Sequence, residues 1–268
     1  MWVQQLGAAL EPVSVAAAPL VGPAWREVPA FTLVFAAIFF AALPFWHYVV
    51  GVNWKKAAIL SSCSMSSVHG LLCALGGYEQ LLAWGTFQPD APNTYPQKLL
   101  NEFSLAYMIA DSFLFLLPWT PDDVVFIVHH ILSSTYLVGC LLNGHGAIGC
   151  IMMFFLGEVT SPVFNAFSIS KELRHHSKAA FRVFNMMSPI FTIAFIGVRS
   201  IIAPPITAWF VYRLWFSSPL LPVAWRAAMG SCIVLGMVAS QLWSFKLLRG
   251  WSKQHRRGAQ LAAEQKRE

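Results

Sequence analysis

Two adjacent histidines, His129 and His130, stand inside an apolar run from Val124 to Leu142. Imidazole is costly in hydrocarbon, so a pair within a membrane span marks an interior site rather than packing filler. Beside a carboxylate, an imidazole suits proton transfer. Its unperturbed pKa is about 6.5, and the partner fixes its tautomer and stabilises its cation. Such a ring could deprotonate an amine or hydroxyl attacking a thioester, or take the acyl group itself. The candidate carboxylate is Asp111, with His129 and His130 as candidate catalytic residues. Metal chemistry competes, because His69, one His of the pair, Asp111 and Glu158 are all ligand types for zinc or iron. Against it, neighbours on a helix diverge by about 100°, which sets the two rings poorly for one ion. No His-x-x-His or His-Glu-x-x-His spacing occurs. No metal or cofactor is therefore expected. A third reading stays open, in which these groups form a satisfied polar network that fixes helix packing.

The elements that position these groups are membrane spans. Of 268 residues, 57% are hydrophobic and 11% charged, against about 25% charged in soluble domains. Seven stretches approach the roughly 20 residues needed to cross a bilayer. They lie near 30–50, 57–75, 100–118, 123–143, 147–168, 180–203 and 222–248. Each must be helical, because backbone groups in lipid are satisfied within the segment. The expected fold is an all-α polytopic bundle. Thr207–Phe216, behind Pro204-Pro205, is too short to span and reads as a luminal interfacial or re-entrant piece. Residues 1–29 read as a luminal N-terminal segment without the basic start of a signal peptide. The first span, 30–50, is an uncleaved anchor, 51–250 forms the main bundle and 251–268 is a basic tail.

Charge sets the orientation. The 51–56 loop, the 118–122 turn, the 169–182 loop and the tail share one side. They carry Lys55, Lys56, Lys171, Arg174, Lys178, Arg182, Lys246, Arg249, Lys253, Arg256, Arg257, Lys266 and Arg267, the large majority of the 18 Lys and Arg. The positive-inside rule makes that side cytosolic and the N-terminus luminal. The net charge of +6 is then a topology signal and an attraction to anionic headgroups, and no nucleic-acid partner is expected. Cys63, Cys73, Cys140, Cys150 and Cys232 lie in or beside spans without a Cys-x-x-Cys pair and read as small apolar residues.

Polar stripes run along five spans. Residues three and four apart share a helical face, which groups Ser62, Ser66, His69 and Cys73, then Ser104, Tyr107 and Asp111, then His129, Ser133 and Tyr136. The same spacing groups Glu158, Ser161 and Asn165, and Asn185, Ser188 and Thr192. At 1.5 Å per residue, Asp111 and His129 each lie about 10 Å below the cytosolic face, and Glu158 and His69 roughly 15–18 Å below it. Asp111, His129, His130, His69 and Glu158 are expected to surround one cavity, with Tyr107, Ser161 and Asn165 as further binding candidates. Arg199 is read outside this cluster, snorkelling near the luminal end of the sixth span. Trp225 and Arg226 read as interfacial anchors. His145, His175 and His176 read as solvated. Gly230, Gly236 and Ala239 would permit close helix packing.

These pieces together resemble the TLC domain. The matching motifs are Ser66-Ser67-Val68-His69, Tyr107-Met108-Ile109-Ala110-Asp111, the pair His129-His130 and Glu158-Val159-Thr160-Ser161-Pro162-Val163-Phe164-Asn165. The last looks closest to the TLC domain-containing protein 4 subgroup. The resemblance implies a helical bundle around a lipid-accessible cavity, six of the spans forming the family core, in the endoplasmic reticulum or connected membranes. It implies membrane lipids as partners and a role in lipid homeostasis. A related branch, the ceramide synthases, joins acyl-CoA to a sphingoid base through paired histidines, which correspond to His129 and His130. On that analogy the chain is an N-acyltransferase with acyl-CoA as substrate. The synthases' run of aspartates is replaced here by Glu158, Ser161 and Pro162. Other branches act in trafficking or translocation without catalysis. The end Glu264-Gln265-Lys266-Arg267-Glu268 carries no di-lysine retrieval signal.

Overall fold

The computed structural model describes residues 1–83, 88–115 and 124–265, apart from the side chains at 114, 115, 125 and 253–265. The 118–122 turn and the end of the tail lie outside the described residues. The chain is an all-α bundle, and six of its helical stretches are long and apolar enough to cross a membrane. The first joins α3 (Val28–Pro44) to a π turn at Phe45–Val49. Next come α4 (Trp54–Leu82) and α6 (Val124–Asn143). A fifth-span pair follows, α7 (Ala147–Glu158) and α8 (Ser161–Leu173). The last two are the run Lys178–Phe216 and the first part of α11 (Val223–Gln265). The remaining predicted span is α5 (Tyr95–Phe115), which carries Lys98, Glu102 and Asp111 and packs among α3, α4 and α6.

The start of the chain folds onto this core. Short helices α1 (Trp2–Ala9) and α2 (Glu11–Val21) precede α3. Trp2 meets Phe103 edge-on at 4.9 Å, and Val3 is fully buried. Phe31, Phe35 and Phe39 recur every four residues on α3 and are buried. Phe35 packs on Phe103 and Tyr107 of α5 at 4.9 and 5.4 Å. The opposite faces of the spans leave Leu33, Phe40, Ile131, Ile193 and Leu242 exposed, as expected where lipid is the solvent.

Loops cluster at two ends. At one, Lys56 Nζ donates to the Glu172 carbonyl at 2.8 Å, and His176 Nε2 lies 2.7 Å from the Val50 carbonyl. The two basic loops are thus on one face, as the four spans between them (α4, α5, α6 and the α7–α8 pair) require. At the other, Asn93 Nδ2 donates to the Cys140 carbonyl and Leu220 N–H to Asp90 Oδ2. His145 is held there as well, its Nδ1 2.7 Å from the Asn143 carbonyl, so it is half-buried rather than simply solvated.

The sixth span departs from the sequence reading. Helix α9 (Lys178–Ile196), a π segment at Gly197–Ile202 and α10 (Ala203–Phe216) form one continuous helical run. Thr207–Phe216 is therefore not a separate interfacial piece. Its Phe210 packs on Gly149 at the start of α7. Two prolines in succession normally break a helix, because each removes an N–H donor. Here the carbonyl that Pro204 would serve in π register, that of Arg199, accepts instead from Gln241 Nε2 of α11 at 2.7 Å. Neighbouring side chains commonly re-satisfy such freed groups in membrane helices. Gly230 faces Trp215 and Leu214 of α10, whereas a methyl group at Gly236 would meet nothing within 4 Å.

Candidate functional site

Helices α4, α5 and α6 converge on Asp111. Ser62 Oγ donates to Asp111 Oδ1 at 2.7 Å, and Tyr107 OH reaches Oδ2 at 3.4 Å. His130 Nε2 lies 3.5 Å from the same Oδ2. Its Nδ1 lies 3.2 Å from Ser112 Oγ, which also donates to the Met108 carbonyl at 2.6 Å. A hydroxyl has one proton to give. With it spent on Met108, Ser112 accepts from His130 Nδ1–H. An attractive Nε2···Oδ2 contact then needs a proton between imidazole and carboxyl. Both ring nitrogens of His130 are thus engaged, and the ring is buried.

Behind this network lies His69, also buried. It stacks on Tyr107 at 3.9 Å and 11°, with Nε2 3.0 Å from Ser104 Oγ and 3.2 Å from Cys73 Sγ. Asn165 is buried lower down, where its Nδ2 donates to Ser66 Oγ at 3.3 Å and joins α8 to α4. The structure therefore pairs Asp111 with His130 and not with His129.

His129 is differently placed. On α6, Val124, Val128, Ile131, Thr135 and Leu142 are exposed and mark the lipid face. At 100° per residue His129 lies about 130° from the centre of that face. It is about 20° from each of Tyr136 and Cys140, which are buried. Its ring is nevertheless exposed. An exposed side chain on the inward face of a helix borders an open space between spans. Among the described residues His129 makes no hydrogen bond or contact ion pair.

Glu158 and Arg199 both act electrostatically on His129. Pro162 has no N–H for the Glu158 carbonyl, and the fifth span breaks at Val159-Thr160 between α7 and α8. Gly70 of α4 admits Glu158 and Ser161: a methyl group there would stand 3.0 Å from Glu158 Oε2 and 2.6 Å from Ser161 Cβ. The Glu158 carboxylate has no hydrogen bond or contact ion pair among the described residues. Arg199 Nη2 donates at 2.7 Å to the Gly157 carbonyl beside the break, which also accepts from Thr160 Oγ1 at 3.2 Å. Arg199 and Glu158 lie within electrostatic reach of each other and of His129.

The placing of Arg199 corrects the sequence reading. Because the helix runs on to Phe216, this residue is far from that end of the span and faces the break in the fifth span. The missed signal was the one that picked out the histidines, a lone ionisable residue in an apolar run. A second omission is aromatic. Trp243 of α11 gathers Phe126, Phe164 and Phe195 at 5.2, 5.7 and 5.7 Å. This cluster lies toward the basic loops from His129 and Arg199. Among the described residues no three His, Cys, Asp or Glu are grouped to hold a metal ion.

The TLC-domain profile matches residues 57–249 of this chain. The chain belongs to the TLC-domain family. It is 28% identical over 183 residues to a TLC domain-containing protein of Arabidopsis thaliana, covering 66% of this chain and 70% of that one. No solved structure matches. The matched region contains every residue of the Asp111 network and of the open space, while α1, α2 and α3 precede it. The chain is an integral multi-pass membrane protein of a family generally linked to lipid handling.

Proposed function

We propose that this TLC-domain protein takes up an acyl lipid between its spans, with the lipid's polar end at His129 and Glu158, and so contributes to membrane lipid homeostasis. The supporting observation is the exposure of His129 on the inward face of α6, within electrostatic reach of a carboxylate that makes no hydrogen bond or contact ion pair among the described residues. Polar groups left unpaired inside a membrane are costly unless a ligand or water meets them. The Glu158–Asn165 motif supports placement near the TLC domain-containing protein 4 subgroup. We place the protein in the endoplasmic reticulum or connected membranes by analogy with its family, and give it a luminal N-terminus and a cytosolic C-terminus on the strength of its basic loops.

A second reading is favoured by the free nitrogens of His129. By analogy with the paired histidines of the ceramide synthases, His129 would take the proton of an amine or hydroxyl as it attacks the carbonyl of an acyl-CoA. The C–S bond then breaks and the CoA thiolate leaves, to be reprotonated by the imidazolium. In this scheme His130 and Asp111 position α6 rather than react.

The test is lipid analysis of the purified full chain, with acyl-CoA plus a sphingoid base or long-chain alcohol offered in parallel. A lipid that co-purifies with the wild type and falls about tenfold in His129→Ala, the loss of one charge-assisted hydrogen bond, supports the binding reading. Product that disappears in His129→Ala supports the acyltransferase. Wild-type protein that holds no lipid and forms no product overturns both.

A further inference from the structure

Arg199 has donors to spare. A guanidinium offers five N–H groups in a rigid fork. Nη2 is used on the Gly157 carbonyl at 2.7 Å, and Nη1 reaches Ser240 Oγ only at 3.4 Å. Nε is buried without a partner. No carboxylate makes a contact ion pair with this group among the described residues. A cation set among apolar spans without a contact counter-ion is strongly disfavoured, so it is poised to gain from an anion. It also sits in a π segment, an irregularity that recurs at functional sites.

The surroundings select the kind of anion. The guanidinium lies over the Phe195 ring at 5.5 Å. Phe195 belongs to the aromatic cluster around Trp243, together with Phe126 and Phe164. That cluster stands between the open space and the basic-loop face. It obstructs a direct path for a soluble ion from that side, while the bilayer flanks the bundle. We propose that Arg199 is the anchor for the acidic headgroup, carboxylate or phosphate, of a single-tailed amphiphile held in the space beside His129. Planar bidentate pairing with such oxygens is what a guanidinium does best. Glu158, unpaired across the space, disfavours a dianion and leaves the His129 imidazole free for a second hydrogen bond.

This inference rests on the lipid-binding reading above and is tested separately from it. The full chain in phosphatidylcholine nanodiscs is titrated with palmitate, hexadecyl phosphate, hexadecanol and hexadecylamine. Palmitate or hexadecyl phosphate should bind at least about tenfold tighter than hexadecanol, one charge-assisted contact, and which of the two binds better identifies the acid. Arg199→Gln, which keeps a donor for Gly157, should abolish the preference while hexadecanol binding persists. Arg199→Lys should keep part of it. Glu158→Gln should enlarge it, an outcome that does not depend on Arg199→Gln folding. Equal binding of acid and alcohol by the wild type overturns the anchor but leaves lipid binding standing. A preference for hexadecylamine assigns the headgroup to Glu158 and overturns it too. Displacement of palmitate by inorganic phosphate at comparable concentration overturns the amphiphile. Failure of all four ligands to bind overturns the underlying reading.

Discussion

His130 and His129 are neighbours in sequence, yet the polar groups around the first are paired and those around the second are open. Around His130, Asp111, Ser62, Tyr107 and Ser112 satisfy one another across α4, α5 and α6. Around His129, Glu158 is unpaired and Arg199 is underused. The difference comes from helical geometry, since adjacent residues point about 100° apart. One turn of α6 thus serves two ends, clamping the bundle on one side and presenting chemistry on the other. A paired-histidine motif need not mean two histidines with the same role.

The comparison is broken most directly at Asp111. Asp111→Ala strands the Ser62 and Tyr107 hydroxyls and one nitrogen of His130 in the interior. Removing one partner of a buried pair costs about 3 kcal/mol or more. Thermal unfolding in detergent should show that loss. If Asp111→Ala is no less stable than His129→Ala, the division between a clamping side and an open side is wrong.

A smaller effect is expected where α4 meets the break in the fifth span. In Gly70→Ala the new methyl would stand 2.6 Å from Ser161 Cβ, an atom tied to its own backbone. Helices α4 and α8 must then part, at about 2 kcal/mol for overpacking. The shift also displaces Glu158, so bound lipid should fall along with stability. Gly236→Ala is the control. Open space surrounds it, and alanine favours a helix by up to about 1 kcal/mol, so it should be neutral or stabilising. Equal losses in both variants would remove Gly70 from the site.

Much of this was legible in the sequence because lipid imposes strict rules. Hydropathy located the spans, and three-and-four spacing put Tyr107 and Asp111 on one face, where they do meet. What stayed hidden was set by partners from other helices. Pro204-Pro205 looked like an end, and only Gln241, thirty-six residues further along the chain, makes the continuous helix tolerable. Once the helix was cut short, Arg199 looked like an anchor at its edge. Spacing also could not divide the histidines, because their two environments depend on which neighbours approach α6 from each side.

The smallest change in stability is expected from His129→Ala, and it is the sharpest test of the comparison. The imidazole makes no hydrogen bond among the described residues and is exposed, so truncation strands nothing. Unfolding should shift by no more than about 0.5 kcal/mol, as for surface substitutions generally. A ring that were part of the clamp would cost several times that. Near-wild-type stability together with a lower lipid content would separate the two histidines by measurement, since Asp111→Ala loses stability first. If His129→Ala instead unfolds as readily as Asp111→Ala, the open space beside it is packed in the folded protein, and both the lipid and the anion anchored at Arg199 lose their place.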